Sequence, residues 1–179
     1  MCSISDGDSV LLTGGHCYYG KPDCTCTCDS ATGHVDDWDI PGCSRLSSSK
    51  VHRYTQEQGW VEDLPDMTVG RYGHGCAAFT MDQEQVTDQR NLLSLLNAFQ
   101  IYLVAGGCGR WQFLADSVSH TDTYRDEECI EYLASTEVYR GGLWITVEPL
   151  PVAVMGVRGA SLDNTVYMTG ESSLQAMVF

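Results

Sequence analysis

Nine cysteines are the most chemically versatile residues of this 179-residue chain, and Cys17, Cys24, Cys26, Cys28 and Cys43 crowd a single stretch. Three chemistries fit them. Disulfides would staple a stretch that has no core of its own, in an oxidising compartment, with one thiol left over from an odd total. A zinc site would use Cys24, Cys26 or Cys28 with His16 or His34, although C-x-C-x-C lacks the C-x₂-C pairs usual in structural zinc sites. Free thiols in a loop are the third reading. Cys76 stands apart in an apolar run, where a free cysteine behaves as a small buried hydrophobe.

Nucleophilic catalysis would need a Cys or Ser held against a His and an orienting acid. His74 and Cys76 are close in sequence only. On a strand, residues two apart share a face but are spaced along it, so this pair does not supply the contact. No catalytic, cofactor-binding or metal set emerges, and the expectation is a protein that is not an enzyme. Recognition chemistry is better represented. Trp38 in the run Asp36-Asp37-Trp38-Asp39, and Trp111 with Phe113, are aromatics outside any repeated pattern, and Trp is enriched at binding hot spots. Alanine at Trp38 or Trp111 is therefore expected to weaken partner capture and to leave the fold intact.

Ten basic residues against 24 acidic give a formal charge of −14. Such a chain is repelled by phosphate backbones and anionic headgroups, which argues against nucleic acid and membrane surfaces as partners. It favours solubility, and secondarily a basic partner. The start, Met1 to Asp8, has neither a basic n-region nor an apolar h-region, and no run of about 18 apolar residues occurs, so no membrane insertion is expected. No Asn-x-Ser/Thr sequon is present. The compartment stays open between cytoplasmic and extracellular.

Two units repeat the same order of elements. The first reads Val10-Leu11-Leu12-Thr13-Gly14-Gly15, then Val51-His52-Arg53-Tyr54, then Gly59-Trp60 through Leu64-Pro65. The second reads Gln100 through Gly106-Gly107, then Ser135 through Tyr139, then Leu143-Trp144 through Leu150-Pro151. Each segment is short, β-rich and closed by a turn signal, the texture of an antiparallel meander. A small-residue strand, Gly70 to Phe79, opens the second unit, and Gly156 to Leu162 with Thr165 to Gly170 opens a third. The repeated aromatics Tyr54, Trp60, Tyr102, Tyr139, Trp144 and Tyr167 are expected in the core between units.

These residues resemble the kelch family: Arg71 and His74 at the start of an inner strand, the Gly-Gly strand ends, Tyr54 and Tyr139 before Trp60 and Trp144, and Leu-Pro after each. The resemblance implies an all-β fold, a kelch-type β-propeller fragment of four-stranded antiparallel blades with long inserted loops. It divides the chain into a partial blade over 1–66 with a Cys-rich insertion at 16–49, a complete blade over 67–152 with insertions at 80–99 and 108–133, and the start of a third over 153–179. Kelch units repeat at about 50 residues, and the insertions account for the wider spacing here. Insertions 16–49 and 108–133 should emerge side by side on one face. Within 80–99, Leu92, Leu95, Leu96 and Phe99 fall at helical spacing, so a short helix over 90–99 or a longer strand is expected.

With three, four and two strands for the blades, the chain is too short to close a ring of the usual four to eight blades. It is expected to be part of a larger propeller or to self-associate. The function implied is a protein–protein interaction scaffold whose inserted loops grip a partner. The alternatives are the propeller of a copper oxidase-like enzyme, for which no Tyr and His ligand set can be assigned, and a fragment without function.

Overall fold

The structure is a computed structural model and describes residues 1–16, 26–28, 43–61, 64–81, 99–113, 127–163, 165–170 and 173–177. Among these residues the regular elements are strands. Blade 1 has the order β1-β2-β5-β6, from Cys2–Asp6, Ser9–Thr13, Val51–Thr55 and Gly59–Val61. Blade 2 has the order β12-β11-β8-β7, from Leu143–Val147, Thr136–Arg140, Phe99–Ala105 and Gly75–Met81. Blade 3 has β13-β14-β15, from Arg158–Leu162, Thr165–Gly170 and Ser173–Met177. A fourth sheet, β10-β9-β4-β3, is built from the insertions: Glu127–Tyr132, Cys108–Phe113, Cys43–Leu46 and Cys26–Cys28.

All ladders are antiparallel, as tight hairpins require. Arg140 pairs with Leu143, so Gly141-Gly142 forms a two-residue turn. Both glycines have φ > 0, at 61° and 89°, the backbone that matches the twist of the flanking strands. Gly14 closes β2 at φ 63°, where a Cβ would strike the Arg71 carbonyl, so the Gly-Gly end is a point of close backbone approach between units.

Two apolar seams join the three blades face to face. In the first, Ile4, Leu11 and Val51 of blade 1 pack against Cys76, Tyr102, Val104 and Trp144 of blade 2. In the second, Ala77, Leu103 and Phe79 of blade 2 pack against Val157, Val166 and Met168 of blade 3. Each fully buried aliphatic side chain here is worth about 1.5–3 kcal/mol of transfer from water. Strands β1, β7 and β13 meet along one side of the molecule, each blade's first strand against its neighbour's. Radially stacked blades sharing an inner edge are the architecture of a β-propeller.

The seams carry fixed polar pins. Arg71 and Glu137 form an ion pair at 2.5 Å with no exposed side-chain surface on either partner. Arg71 also donates to the Gly106 and Ser135 carbonyls at 2.9 Å, and Glu137 accepts from the Thr68 and Val69 amides at 2.7 and 3.2 Å. Burial pulls the Arg71 guanidinium below its ordinary value, and the Glu137 charge and hydrogen bond oppose that pull. Trp144 Nε1 donates to the Pro65 carbonyl at 2.8 Å, which gives the Leu-Pro segment its place in the first seam.

Several expectations are corrected. Blade 1 has four strands, because Cys2–Asp6 pairs with β2. Blade 3 has a described third strand, β15. Cys76 is not a free buried thiol: it is bonded to Cys2 across the first seam, with the two Cα atoms 6.1 Å apart. Phe99 lies in β8, and residues 90–98 of the expected helix lie outside the described residues. The repeat aromatics divide: Tyr102 and Trp144 are each 8% exposed, whereas Tyr54, Trp60 and Tyr167 are 40%, 58% and 41% exposed.

Candidate functional site

The insertions at 16–49 and 108–133 do more than lie side by side. Strand β4 from one pairs with β9 from the other, in the register Ser44↔Gln112, Arg45↔Trp111 and Leu46↔Arg110. Strands β3 and β10 extend this sheet on either side, and Cys28 stands opposite Cys43 in the β3–β4 register. A disulfide between Cys108 and Cys129 ties β9 to β10.

The sheet is rooted on the linker between blades 1 and 2. Ser47 donates its amide to the Gly109 carbonyl at 2.8 Å and its hydroxyl to the Cys108 carbonyl at 2.6 Å. Tyr72 and Cys108 exchange backbone hydrogen bonds at 3.0 and 2.8 Å. Such pairing satisfies the backbone where the insertions leave the blades and fixes their direction.

Strand alternation gives the sheet two unlike faces. The inner one holds Arg45, Trp111 and Cys129 in one row. Trp111 is 2% exposed, with the His16 ring edge-on at 4.9 Å and the Arg45 guanidinium 5.5 Å from its centroid. His16 also lies 4.0 Å from the Tyr72 ring. The outer face carries the rows Leu46–Arg110–Glu131 and Ser44–Gln112–Glu128. Arg110 and Glu131 approach to 3.8 Å, and Gln112 donates to Glu128 at 3.4 Å. Ile130 and Tyr132 on β10 are exposed beside these rows. At the foot of the sheet a cleft of about 460 Å³ opens toward blade 1, lined by Ser48, Lys50, Thr68, Arg110 and Glu131 among others. An ion pair of 2.9 Å joins Lys50 to Asp66 on its wall.

Of the expected binding residues, Trp111 is corrected: its indole is an interior anchor of the inserted sheet and offers almost no surface to a partner. Phe113 lies in β9 opposite Glu127, and its side chain is outside the described residues. Asp36, Asp37 and Trp38 lie outside them as well. The outward residues Leu46, Arg110 and Glu131, and the exposed Ile130 and Tyr132, are not among the residues expected from the sequence. The signal was present in Arg110-Trp111-Gln112-Phe113, an alternation that marks a half-buried strand.

His74 and Cys76 both lie at the first seam. Cys76 is held as a disulfide, so this pair contains no thiolate. His74 Nε2 lies 2.8 Å from the Thr13 hydroxyl across the first seam. Burial, followed by the nearby Arg71 charge, pushes its pKa down to about 3, so the ring is neutral at physiological pH. No group of three or more metal-ligating side chains occurs among the described residues. No described helix is long and apolar enough to cross a membrane.

No protein-family model matches the chain. No curated protein matches it in sequence. The solved structure of YjhT matches 99% of this chain at a TM-score of 0.50 and 12% sequence identity. The match spans 40% of the YjhT chain, so this chain covers less than half of that protein's length. The likeness is one of fold, and it agrees with the stacking of four-stranded antiparallel sheets described above.

Proposed function

We propose that this chain is a kelch-type propeller scaffold that binds a partner protein through the sheet made by its two insertions. The observation that carries this reading is the β4–β9 pairing, which turns two separate loops into one four-stranded platform. Loops that fold only on binding would lose affinity to ordering; a platform held by hydrogen bonds and a disulfide is already ordered. Its outer face carries Leu46 with Arg110, Glu128 and Glu131, and Ile130 and Tyr132 are exposed on the same sheet, the blend of apolar contact and charge common at non-obligate interfaces.

The disulfides Cys2–Cys76 and Cys108–Cys129 fit an oxidising environment, and an extracellular site of action belongs to the proposal. The test is affinity capture followed by identification of the bound protein, comparing wild type with Leu46→Glu/Tyr132→Glu and with Trp60→Glu on blade 1. Loss of the partner with the first variant and its retention with the second supports the platform. Equal capture by all three rejects it.

A further inference from the structure

The cleft of about 460 Å³ at the foot of the inserted sheet carries two ion pairs of unequal quality. Lys50 and Asp66 meet at 2.9 Å, so this ammonium donates a hydrogen bond to its carboxylate. Arg110 and Glu131 come only to 3.8 Å, from Nε to Oε2, a charge contact without a hydrogen bond. Arg110 Nε is shielded from solvent and has no hydrogen-bond partner among the described residues, although 42% of the side-chain surface is exposed.

A guanidinium presents five N–H donors in a planar fork that matches the two oxygens of a carboxylate. A shielded N–H without an acceptor is uncommon in a folded chain and points to a group that completes it. Further donors line the cleft from the segment after β4. Ser48 Oγ accepts the Lys50 amide at 3.2 Å, and the hydroxyl protons of Ser48 and Ser49 have no acceptor among the described residues.

We infer that the cleft takes a carboxylate, the acidic side chain of an extended segment of the partner protein, held by the Arg110 fork with Ser48 and Ser49 donating beside it. The inference rests on the inserted sheet being the binding platform, with which the cleft is continuous: Arg110 and Glu131 belong both to the outer row and to the cleft wall. A singly charged group fits better than a phosphate. Asp66 and Glu131 stand on the walls, and a phosphate monoester, at about −1.5 to −2, meets more of their repulsion for the same fork. The chain's formal charge of −14 is screened beyond about 10 Å and does not set the sign of a contact at one guanidinium. Glu131 neutralises Arg110 at long range and competes with the ligand for it.

Nitrogen–proton correlation spectra of the whole chain test this, because the Arg110 Nε–Hε resonance reports on the fork itself and is assigned by its loss in Arg110→Lys. The probe is the α-amide of N-acetylglutamate at constant ionic strength, with the α-amide of N-acetylglutamine as its uncharged isostere and inorganic phosphate as a second anion. The glutamate probe should move the resonance saturably at millimolar concentration and shift backbone amides in 46–50. The glutamine probe should do neither, and phosphate should need a higher concentration. Arg110→Lys keeps the charge but loses the fork, and should bind about tenfold more weakly, the worth of one hydrogen bond to a charged group. Glu131→Gln removes the competing carboxylate and should bind more tightly. No saturable shift, an equal response to both isosteres, tighter binding of phosphate, undiminished binding by Arg110→Lys or weaker binding by Glu131→Gln would each overturn the inference. The titration uses no partner protein, so it can fail while capture through Leu46 and Tyr132 succeeds, and the reverse.

Discussion

The Arg45 guanidinium lies 5.5 Å from the centroid of the Trp111 ring, and the two residues are register partners across β4 and β9. They belong to different insertions more than 60 residues apart in the chain, so this contact is where the two segments become one element. A buried aromatic with a cation over its face contributes both apolar burial and a specific electrostatic contact.

Trp111→Ala should therefore act on structure first. Removing a buried Trp costs about 3–5 kcal/mol, felt by the inserted sheet more than by the blades, whose seams Trp111 does not enter. Amide exchange in β4 and β9 should rise well above that in β8 and β11. Unchanged exchange in β4 and β9 would mean that Trp111 does not anchor the sheet.

Reduction should weaken the two regions separately. Cys108–Cys129 closes a span of 21 residues and Cys2–Cys76 one of 74. Loop-closure entropy puts these at roughly 3 and roughly 4 kcal/mol. Guanidinium unfolding of Cys2→Ser/Cys76→Ala should show the larger loss, with its midpoint lowered further than that of Cys108→Ser/Cys129→Ala. Peptide mapping without reduction should recover both linked pairs.

The Arg71–Glu137 pair gives a non-additive prediction. Glu137→Ala leaves a buried guanidinium without its carboxylate and should cost about 3–5 kcal/mol. Arg71→Met/Glu137→Leu removes both charges and should lose less than the single change. Additive losses in denaturant titrations would show that the charges are not coupled.

Acid should destabilise the fold through His74. In the folded state its pKa is about 3, against an ordinary value near 6.5, so between these limits the unfolded chain binds a proton that the folded chain does not. Stability from this group is fully present above pH 6.5 and falls as pH drops, by about 1.4 kcal/mol per unit at most. His74→Gln should flatten that part of the profile while losing some stability at neutral pH. A variant with the wild-type slope would assign the proton to another group.

The parts of the fold visible in the sequence were those in which the chemistry repeats. Gly14-Gly15, Tyr54, Trp60 and Leu64-Pro65 recur as Gly106-Gly107, Tyr139, Trp144 and Leu150-Pro151, and period-two runs between them identify β2, β5, β8, β11 and β12. Strand β1 has little pattern of its own, because Ser3-Ile4-Ser5 holds one apolar residue, and its pairing is set by the Gly7-Asp8 turn and by the Cys2 disulfide. The inserted sheet was hidden for a different reason. Cys43–Leu46 is four residues long, and its partner Cys108–Phe113 lies far along the chain, where local pattern carries no information about pairing. Disulfide partners are likewise fixed by the fold and not by spacing. Trp111 reads as a lone aromatic only when its neighbours are ignored; Arg110 and Gln112 on either side give it an inward phase.

Hydrogen–deuterium exchange on the complex, with a partner obtained by affinity capture, reads whether the outer face of the inserted sheet holds that partner. Binding should slow exchange in residues 43–47, 108–113 and 127–132 and leave β8 and β11 unchanged. Protection confined to the blades, with the inserted strands exchanging as in the free protein, would contradict it.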